Sequence, residues 1–156
     1  MQTKKLLILG IGNYLMGDEG VGVHFAQRLE NEPLPPGVDV VDGGTGGFHL
    51  THFIEKYPTV ILVDATLGDY PTGHIRLLEP RFSKDFPKAM STHDIGMKDV
   101  IEAMLFMGKL PKIYLFAVSI ESLQQQQVTL TPEIEAVMPE LKEQVLALTN
   151  KLVSSL

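Results

Sequence analysis

The sequence predicts a three-layer α/β/α sandwich built around a mostly parallel sheet of about five strands. Short, almost purely apolar runs alternate with longer stretches in which apolar residues recur at helical spacing. The apolar runs have no polar positions to mark a solvated face, as expected for parallel strands covered by helices on both sides. Because no repeat or change in composition divides the 156 residues, residues 1–156 are expected to form a single domain.

The first half of the chain predicts two strand–loop–helix units followed by a central strand. Residues 6–9 form the first strand, and residues 20–31 form a helix that ends at a proline cluster. Residues 38–41 form the second strand, and the next helix should turn four apolar side chains inward, namely Phe48, Leu50, Phe53 and Ile54. Residues 59–63 are the most uniformly apolar run, which predicts a central strand with Asp64 at its end.

The second half predicts an edge strand, two helices and one more buried strand. Residues 75–78 form the edge strand, residues 81–89 a loop, and residues 113–118 an apolar strand. Between these strands lies a helix capped by Ser91 or Thr92 and closed by Gly108, whose apolar residues are Val100, Ile101, Met104 and Leu105. The last helix runs from a Thr131 cap and Pro132 to about residue 152, and Pro139 should bend or interrupt it.

Composition and charge exclude several classes of function. The net charge is −6 and the 13 Lys and Arg residues are scattered, so neither a nucleic acid nor an anionic membrane surface is an expected partner. The absence of cysteine excludes disulfides, iron–sulfur clusters, cysteine-bound zinc and a thiol nucleophile. The short apolar run near the N-terminus lacks a signal-peptide cleavage site, which favours a cytoplasmic protein.

The turn after the first strand carries an acidic pair where a phosphate-binding loop would need positive charge. Gly10 and Gly12 permit a tight turn, but Asp18 and Glu19 follow before the helix begins. A dinucleotide-binding turn presents helix N–H groups to phosphate, and two carboxylates there would repel that ligand. The loop is therefore predicted to serve a cation or a peptide.

Three side chains with metal-ligand chemistry should meet at one end of the sheet. Ligands of open parallel sheets bind beyond the carboxyl ends of the strands, where Glu19, Asp64 and His93 are all predicted to lie. Two carboxylates and one imidazole, with coordination positions left open, are typical of an incomplete metal site. Each residue also has a structural interpretation: a turn former for Asp64, compensation of the helix dipole for Glu19, and a first-turn residue for His93. The remaining histidines, His24, His49, His52 and His74, are expected to be surface or packing residues.

A second glycine-rich loop follows the second strand. It begins at Asp42 and holds four glycines in the five positions from Gly43 to Gly47, around Thr45. A loop with so few side chains can lie close against another peptide backbone. A simple turn remains the alternative interpretation.

Four motifs together resemble the hydrogenase maturation endopeptidases. The motifs are Gly-Ile-Gly-Asn-Tyr-Leu-Met-Gly-Asp-Glu-Gly-Val-Gly at 10–22, Asp-Gly-Gly-Thr-Gly-Gly at 42–47, Val-Asp-Ala at 63–65 and Ser-Thr-His-Asp-Ile-Gly at 91–96. The resemblance implies an aspartyl-type endopeptidase that removes the C-terminal extension of a nickel–iron hydrogenase large-subunit precursor. It also implies a metal site at Glu19, Asp64 and His93, and a substrate-binding loop formed by Asp42, Gly43, Gly44, Thr45 and Gly46.

The same resemblance implies that nickel arrives with the substrate and signals that the precursor is complete. Zinc, cadmium or another divalent ion would fit the same ligands in the isolated protein, which is expected to be a monomer. Asp18 and Asp42 are the candidates for activating a water molecule, and the sequence does not choose between them. Two alternatives stay open: a metal-dependent hydrolase of a small amide, and a non-catalytic nucleotide-binding module.

Overall fold

The computed structural model describes residues 3–68, 70–81, 85, 95–121 and 126–155. A five-stranded sheet has the order β2-β1-β3-β5-β4, and only β4 is antiparallel to its neighbour. The strands are β1 (Leu6–Gly10), β2 (Val38–Asp42), β3 (Thr59–Thr66), β4 (Ile75–Leu78) and β5 (Lys112–Ser119). The predicted fold class, the central third strand and the edge position of 75–78 are confirmed.

Helices cover both faces of the sheet. They are α1 (Val21–Leu29), α2 (Thr51–Ile54), α3 (Ile95–Phe106) and α4 (Pro132–Ser154). A 3-10 segment, Gly17–Gly20, joins the first loop to α1, and we call it the acidic turn because it contains Asp18 and Glu19. Another 3-10 segment, Phe48–Leu50, precedes α2. None of the described helices has the length and hydropathy needed to cross a membrane.

The sheet separates two hydrophobic clusters. On one face, Ile8, Ile61 and Phe116 pack with residues of α1 and α4. On the other face, Leu9 and Leu62 pack with residues of α2 and α3. Because side chains alternate along a strand, each residue of β3 and β5 can be assigned to one of these faces.

Glycines bring α1 into direct contact with the carboxyl ends of β1 and β3. A Cβ atom on Gly22 would lie 2.1 Å from the carbonyl oxygen of Val63, and one on Gly10 would lie 2.0 Å from the carbonyl oxygen of Gly22. Neither position has room for any side chain. The first turn of α1 and the acidic turn before it are therefore held against the edge of the sheet where the predicted site lies.

The α-helix after the second loop is shorter than predicted. Two of the four side chains predicted to face inward from it are exposed. Leu50 and Ile54 are buried, whereas Phe48 is 60% and Phe53 41% exposed. In a segment with one 3-10 turn and one α-turn, only a pair separated by four residues reaches the sheet. Of the four apolar residues noted in α3, Val100, Ile101 and Met104 are buried, whereas Leu105 is 40% exposed.

The predictions for Asp64 and for Pro139 need correction, and two other predictions concern residues outside the described ranges. Asp64 is inside β3 and not at its end, because Ala65 and Thr66 continue the pairing with β5. The helix α4 continues through Pro139 without interruption. A mid-helix proline costs about 3 kcal/mol, and the buried Met138 and Leu141 on either side offset that loss through packing. The cap at Ser91 or Thr92 and most of the loop 81–89 lie outside the described residues.

Candidate active site

The first loop folds back on itself and carries Glu19 to the edge of the sheet. The backbone N–H of Ile11 donates to the carbonyl of Val63 at 2.9 Å, which ties the end of β1 to β3. Gly12 has a φ of 153°, and a Cβ atom there would lie 2.3 Å from the carbonyl oxygen of Glu19. The loop therefore requires a glycine at this position, because the returning backbone occupies the side-chain space.

Glu19 and Asp64 are both completely buried at this edge of the sheet. The acidic turn that carries Glu19 contacts β3, the strand that carries Asp64. One carboxylate oxygen of Asp64 accepts a hydrogen bond from the N–H of Ala65 at 2.7 Å. Aspartate and glutamate are seldom fully buried in proteins, so two of them at this edge make it the candidate active site.

The third predicted ligand, His93, lies outside the described residues. Within the described residues, no group of three His, Asp or Glu side chains is arranged to hold a metal ion. Glu19 and Asp64 supply oxygen donors of the type that divalent ions accept, but two carboxylates do not make the predicted three-ligand set. The metal site at Glu19, Asp64 and His93 therefore stays a prediction.

Asp18 faces the N-terminus of α4. Its two carboxylate oxygens accept hydrogen bonds from the backbone N–H of Thr131 at 2.8 Å and from the hydroxyl of Thr131 at 2.7 Å. Thr131 is the predicted N-cap, but its side chain does not cap α4, since the hydroxyl donates to Asp18. With 1% exposure, Asp18 connects the acidic turn to α4.

Backbone hydrogen bonds extend this connection along the first loop. The N–H of Gly17 donates to the carbonyl of Gln127 at 2.8 Å, and the N–H of Gln127 donates to the carbonyl of Leu15 at 2.8 Å. The sequence contained no signal for this contact, because the two segments are more than a hundred residues apart. The loop that carries Glu19 is thus fixed on both sides, by β3 and by the segment before α4.

The second glycine-rich loop lies beside the first. The N–H of Gly43 donates to the carbonyl of Gly10 at 2.8 Å, and the N–H of Gly12 donates to the carbonyl of Gly44 at 2.8 Å. Gly44, Gly46 and Gly47 all have positive φ angles, of 58°, 89° and 125°. The loop conformation therefore depends on glycine, and a Cβ atom on Gly44 would point into open space.

Asp42 is the first residue of this loop, and its side chain is exposed. One carboxylate oxygen accepts a hydrogen bond from the N–H of Gly44 at 2.9 Å, and the other accepts one from the amide of Gln27 at 3.0 Å. The turn interpretation of this motif and the substrate-loop interpretation are thus compatible, because Asp42 shapes a loop in which Gly43 is buried but Gly44, Gly46 and Gly47 stay partly accessible. Gln27 is a contact that the sequence analysis missed.

His24 packs under the first loop. Its ring stacks on Tyr14 with 4.7 Å between the centroids, and it is 8% exposed. Its Nε2 atom is buried without a hydrogen-bond partner in the described part of the chain. Burial, assisted by the positive charge of Arg28, lowers the pKa of His24 below its usual value of 6.5. His24 is therefore a neutral packing residue near neutral pH, while His49, His52 and His74 are exposed.

A separate cavity of about 340 Å³ lies between α1 and α4. Two ion pairs border it, Arg28 with Glu135 and Lys142 with Glu32. Its lining residues are Phe25, Arg28, Leu29, Glu32, Glu135, Met138, Pro139 and Lys142. None of them belongs to the predicted site, which Asp64 places on the opposite face of the sheet.

Sequence similarity to known proteins identifies the family of this chain. The model of the HycI family, described as hydrogenase maturation protease, matches residues 23–148. The hydrogenase 2 maturation protease of Escherichia coli K12 is 35% identical over 147 residues, which cover 92% of this chain and 89% of that protein. This chain belongs to the hydrogenase maturation protease family. It is therefore a peptide hydrolase, and the alternatives of a small-amide hydrolase and a nucleotide-binding module find no support among these relatives.

Solved structures of maturation proteases share the fold. The hydrogenase maturating endopeptidase HybD from Escherichia coli superposes with a TM-score of 0.83 at 32% identity, covering 94% of this chain and 93% of that chain. Another curated relative, the hydrogenase expression/formation protein HupD of Bradyrhizobium diazoefficiens, is 35% identical over 116 residues. Those residues cover 71% of this chain and 59% of HupD, so this protease spans well under two thirds of that longer relative.

Proposed function

We propose that this protease processes a nickel–iron hydrogenase large-subunit precursor by removing its C-terminal extension after nickel has been inserted. The observation that carries the proposal is the pair of buried carboxylates, Glu19 and Asp64, at the carboxyl edge of the sheet. A glycine loop at the same edge of the sheet is hydrogen-bonded to Gly10 and Gly12 of the loop that carries Glu19. A buried acidic centre near a glycine-rich backbone loop suits a protease that reads a metal on its peptide substrate.

In this proposal, Glu19, Asp64 and His93 hold nickel that the precursor brings to the protease. A divalent ion held there would polarise the scissile carbonyl as a Lewis acid. Zinc, cadmium or another divalent ion would occupy the same donors in the isolated protein, because similar N/O sites accept several ions. The selectivity for completed precursor then comes from the nickel ion itself, which only the loaded substrate supplies.

The loop Asp42, Gly43, Gly44, Thr45 and Gly46 is proposed to hold the precursor's backbone next to the acidic centre. Its attachment to Gly10 and Gly12 fixes the loop relative to Glu19. The open space beside Gly44 leaves room for a peptide to approach. Holding the scissile bond in a fixed position in this way supplies much of the rate enhancement of an enzyme.

Exposure favours Asp42 over Asp18 as the group that activates water. Both carboxylates have their two oxygens hydrogen-bonded, Asp18 to Thr131 and Asp42 to Gly44 and Gln27, but Asp18 is almost completely buried. Asp42 is exposed beside the loop proposed for substrate, so water reaches its carboxylate. A general base must lie within hydrogen-bond reach of the proton that it removes.

A processing assay with a matched variant tests the proposal. The purified protease is incubated with purified large-subunit precursor, and the precursor's mass is followed by mass spectrometry. The wild type should remove the extension, and Glu19→Gln should leave it in place while remaining folded by circular dichroism. Unprocessed precursor with the wild type, or normal processing by Glu19→Gln, would refute this function or this site, respectively. Cytoplasmic location stays a prediction, and so does the monomeric state, which size-exclusion chromatography of the same purified protein would measure.

A further inference from the structure

We propose that Arg76 on strand β4 forms a binding site for a carboxylate of the peptide substrate. This inference rests on the proposed function, since it concerns what the protease recognises next to its acidic centre. In the sequence, Arg76 is distinguished only as a residue of the predicted edge strand.

The sheet register places Arg76 in the same row as Asp64. Asp64 of β3 is paired with Ala117 of β5, and Ala117 is paired with Arg76 of β4. Directly paired residues of neighbouring strands point to the same face, so both charged side chains lie on the face that packs against α2 and α3. Strands are about 4.8 Å apart, which puts the two Cα atoms roughly 10 Å from each other.

This row marks a change from apolar to polar on that face. The row one step toward the interior consists of Leu62, Leu115 and Leu78. The next row is Asp64, Ala117 and Arg76, so only a small side chain stands between the two charges. The apolar packing on this face therefore gives way to polar residues at this row, and the next row on the same face holds Thr66 and Ser119.

The guanidinium of Arg76 is held in place but lacks an anionic partner. Its central carbon lies 4.2 Å from the ring centroid of Tyr70, and that ring stacks on His74 with centroids 4.9 Å apart. No carboxylate in the described part of the chain forms an ion pair with Arg76. Its Nε atom is buried and has no acceptor among the described residues. A buried donor without an acceptor is costly, which indicates that a ligand supplies the acceptor.

A carboxylate is the ligand that this arrangement suits. A planar guanidinium can form two parallel hydrogen bonds to one carboxylate, and the contact with Tyr70 restrains the position of the Arg76 guanidinium. Glu19 and Asp64 would repel an anionic group of a bound peptide. Arg76 is placed to accept such a group two strands away, where it would also orient the chain across the sheet edge.

The test compares charge and shape variants of Arg76 on matched precursors. Arg76→Gln removes the charge, Arg76→Lys keeps the charge without the planar fork, and Arg28→Gln is the control on the opposite face. Each enzyme is assayed for kcat and KM on the unmodified precursor. Two further precursors separate the sources of the carboxylate: one has the acidic residues beside the cleavage site changed to amides, and one carries a C-terminal carboxamide installed by peptide ligation.

Arg76→Gln should raise KM about tenfold and leave kcat within about twofold, the loss expected for one charge-assisted contact. Arg76→Lys should show a smaller increase in KM, and Arg28→Gln none. On the precursor that lacks the bound carboxylate, wild type and Arg76→Gln should have the same KM, which identifies the source.

A wild-type KM for Arg76→Gln, or an increase that persists on both altered precursors, would overturn the carboxylate site. If Arg76→Gln does not fold by circular dichroism, Arg76→Lys decides, and a wild-type KM for it overturns the proposal. Failure of the wild type to cleave the unmodified precursor would instead refute the proposed function.

Discussion

The carboxylate of Asp18 accepts two hydrogen bonds from Thr131, one from its backbone N–H at 2.8 Å and one from its hydroxyl at 2.7 Å. These bonds join the acidic turn to the start of α4 across 113 positions of sequence. Asp18 therefore acts on Glu19 by fixing the backbone of the turn that carries it. The adjacent acids have different tasks, one holding the loop and the other facing the proposed metal.

Substitution of Thr131 tests how much its hydrogen bond to Asp18 contributes to stability. Thr131→Val keeps the shape but leaves an oxygen of a buried carboxylate without its hydroxyl donor. We expect the free energy of unfolding to fall by about 1–3 kcal/mol, because an unmet hydrogen bond to a buried charge costs that much. Urea titration measures the change, and Thr131→Ser, which keeps the hydroxyl, should stay close to wild type. Equal stability of all three proteins would show that the bond contributes nothing.

Neutralising Asp64 should stop processing without loss of stability. Asp64→Asn removes a buried charge, and the saving in desolvation offsets the lost contacts of the carboxylate. On the same strand and face, Leu62→Ala should lower the free energy of unfolding by about 2–5 kcal/mol through the cavity it creates. Denaturant unfolding and precursor processing are measured for both variants. A large loss of stability in Asp64→Asn would mean that Asp64 is mainly structural.

Gly44 in the glycine loop and Gly108 after α3 allow a pair of matched alanine substitutions. Gly44 and Gly108 both have positive φ angles, of 58° and 68°, and both face open space. Alanine at either position should cost about 1–2 kcal/mol of backbone strain without a clash. Only Gly44→Ala should raise KM for the precursor, because its methyl group would stand where the precursor's backbone is proposed to lie. If the KM of Gly108→Ala rises equally, the effect is general and the assignment of the loop to substrate binding is wrong.

His24 predicts a specific pH dependence of stability. Its pKa is lowered in the folded protein by burial first and then by Arg28, against weaker opposing effects of Glu135 and Asp18. As the pH drops below 6.5, His24 becomes protonated in the unfolded chain but stays neutral in the folded protein. The free energy of unfolding therefore decreases as the pH is lowered, until the pH passes below the folded-state pKa. The stability advantage of the wild type over His24→Gln should narrow as the pH falls from 7.5 to 5.

Unfolding by urea at several pH values measures this narrowing. His52→Gln changes an exposed histidine and serves as the control. A constant difference between wild type and His24→Gln across this range, or the same narrowing with His52→Gln, would contradict the assigned role of His24.

Sequence alone predicted the features that depend on local pattern. The central position of β3 followed from its uniformly apolar run. The rule that ligands bind beyond parallel strand ends pointed to the loops there, and the acidic turn that carries Glu19 does contact β3, the strand that carries Asp64. The length of β3 did not follow, because its pairing with β5 continues past Asp64. That pairing depends on a strand fifty residues away.

Contacts between distant segments, and which face of a short helix points inward, could not be predicted from the sequence. Nothing in the residues around Asp18 points to Thr131, whose hydroxyl was expected to cap its own helix. Phe48 and Phe53 looked like core residues because a longer helix would turn them inward, yet two short turns leave them exposed. Arg76 gained its significance only through a register that spans three strands.

The central claim is that the protease reads nickel on its substrate through Glu19, Asp64 and His93. The most direct measurement incubates the wild-type protease with nickel-loaded and nickel-free forms of the same large-subunit precursor and follows the C-terminal extension by mass spectrometry. We expect the nickel-loaded precursor to lose its extension and the nickel-free precursor to keep it. Cleavage of both forms at equal rates would contradict the claim.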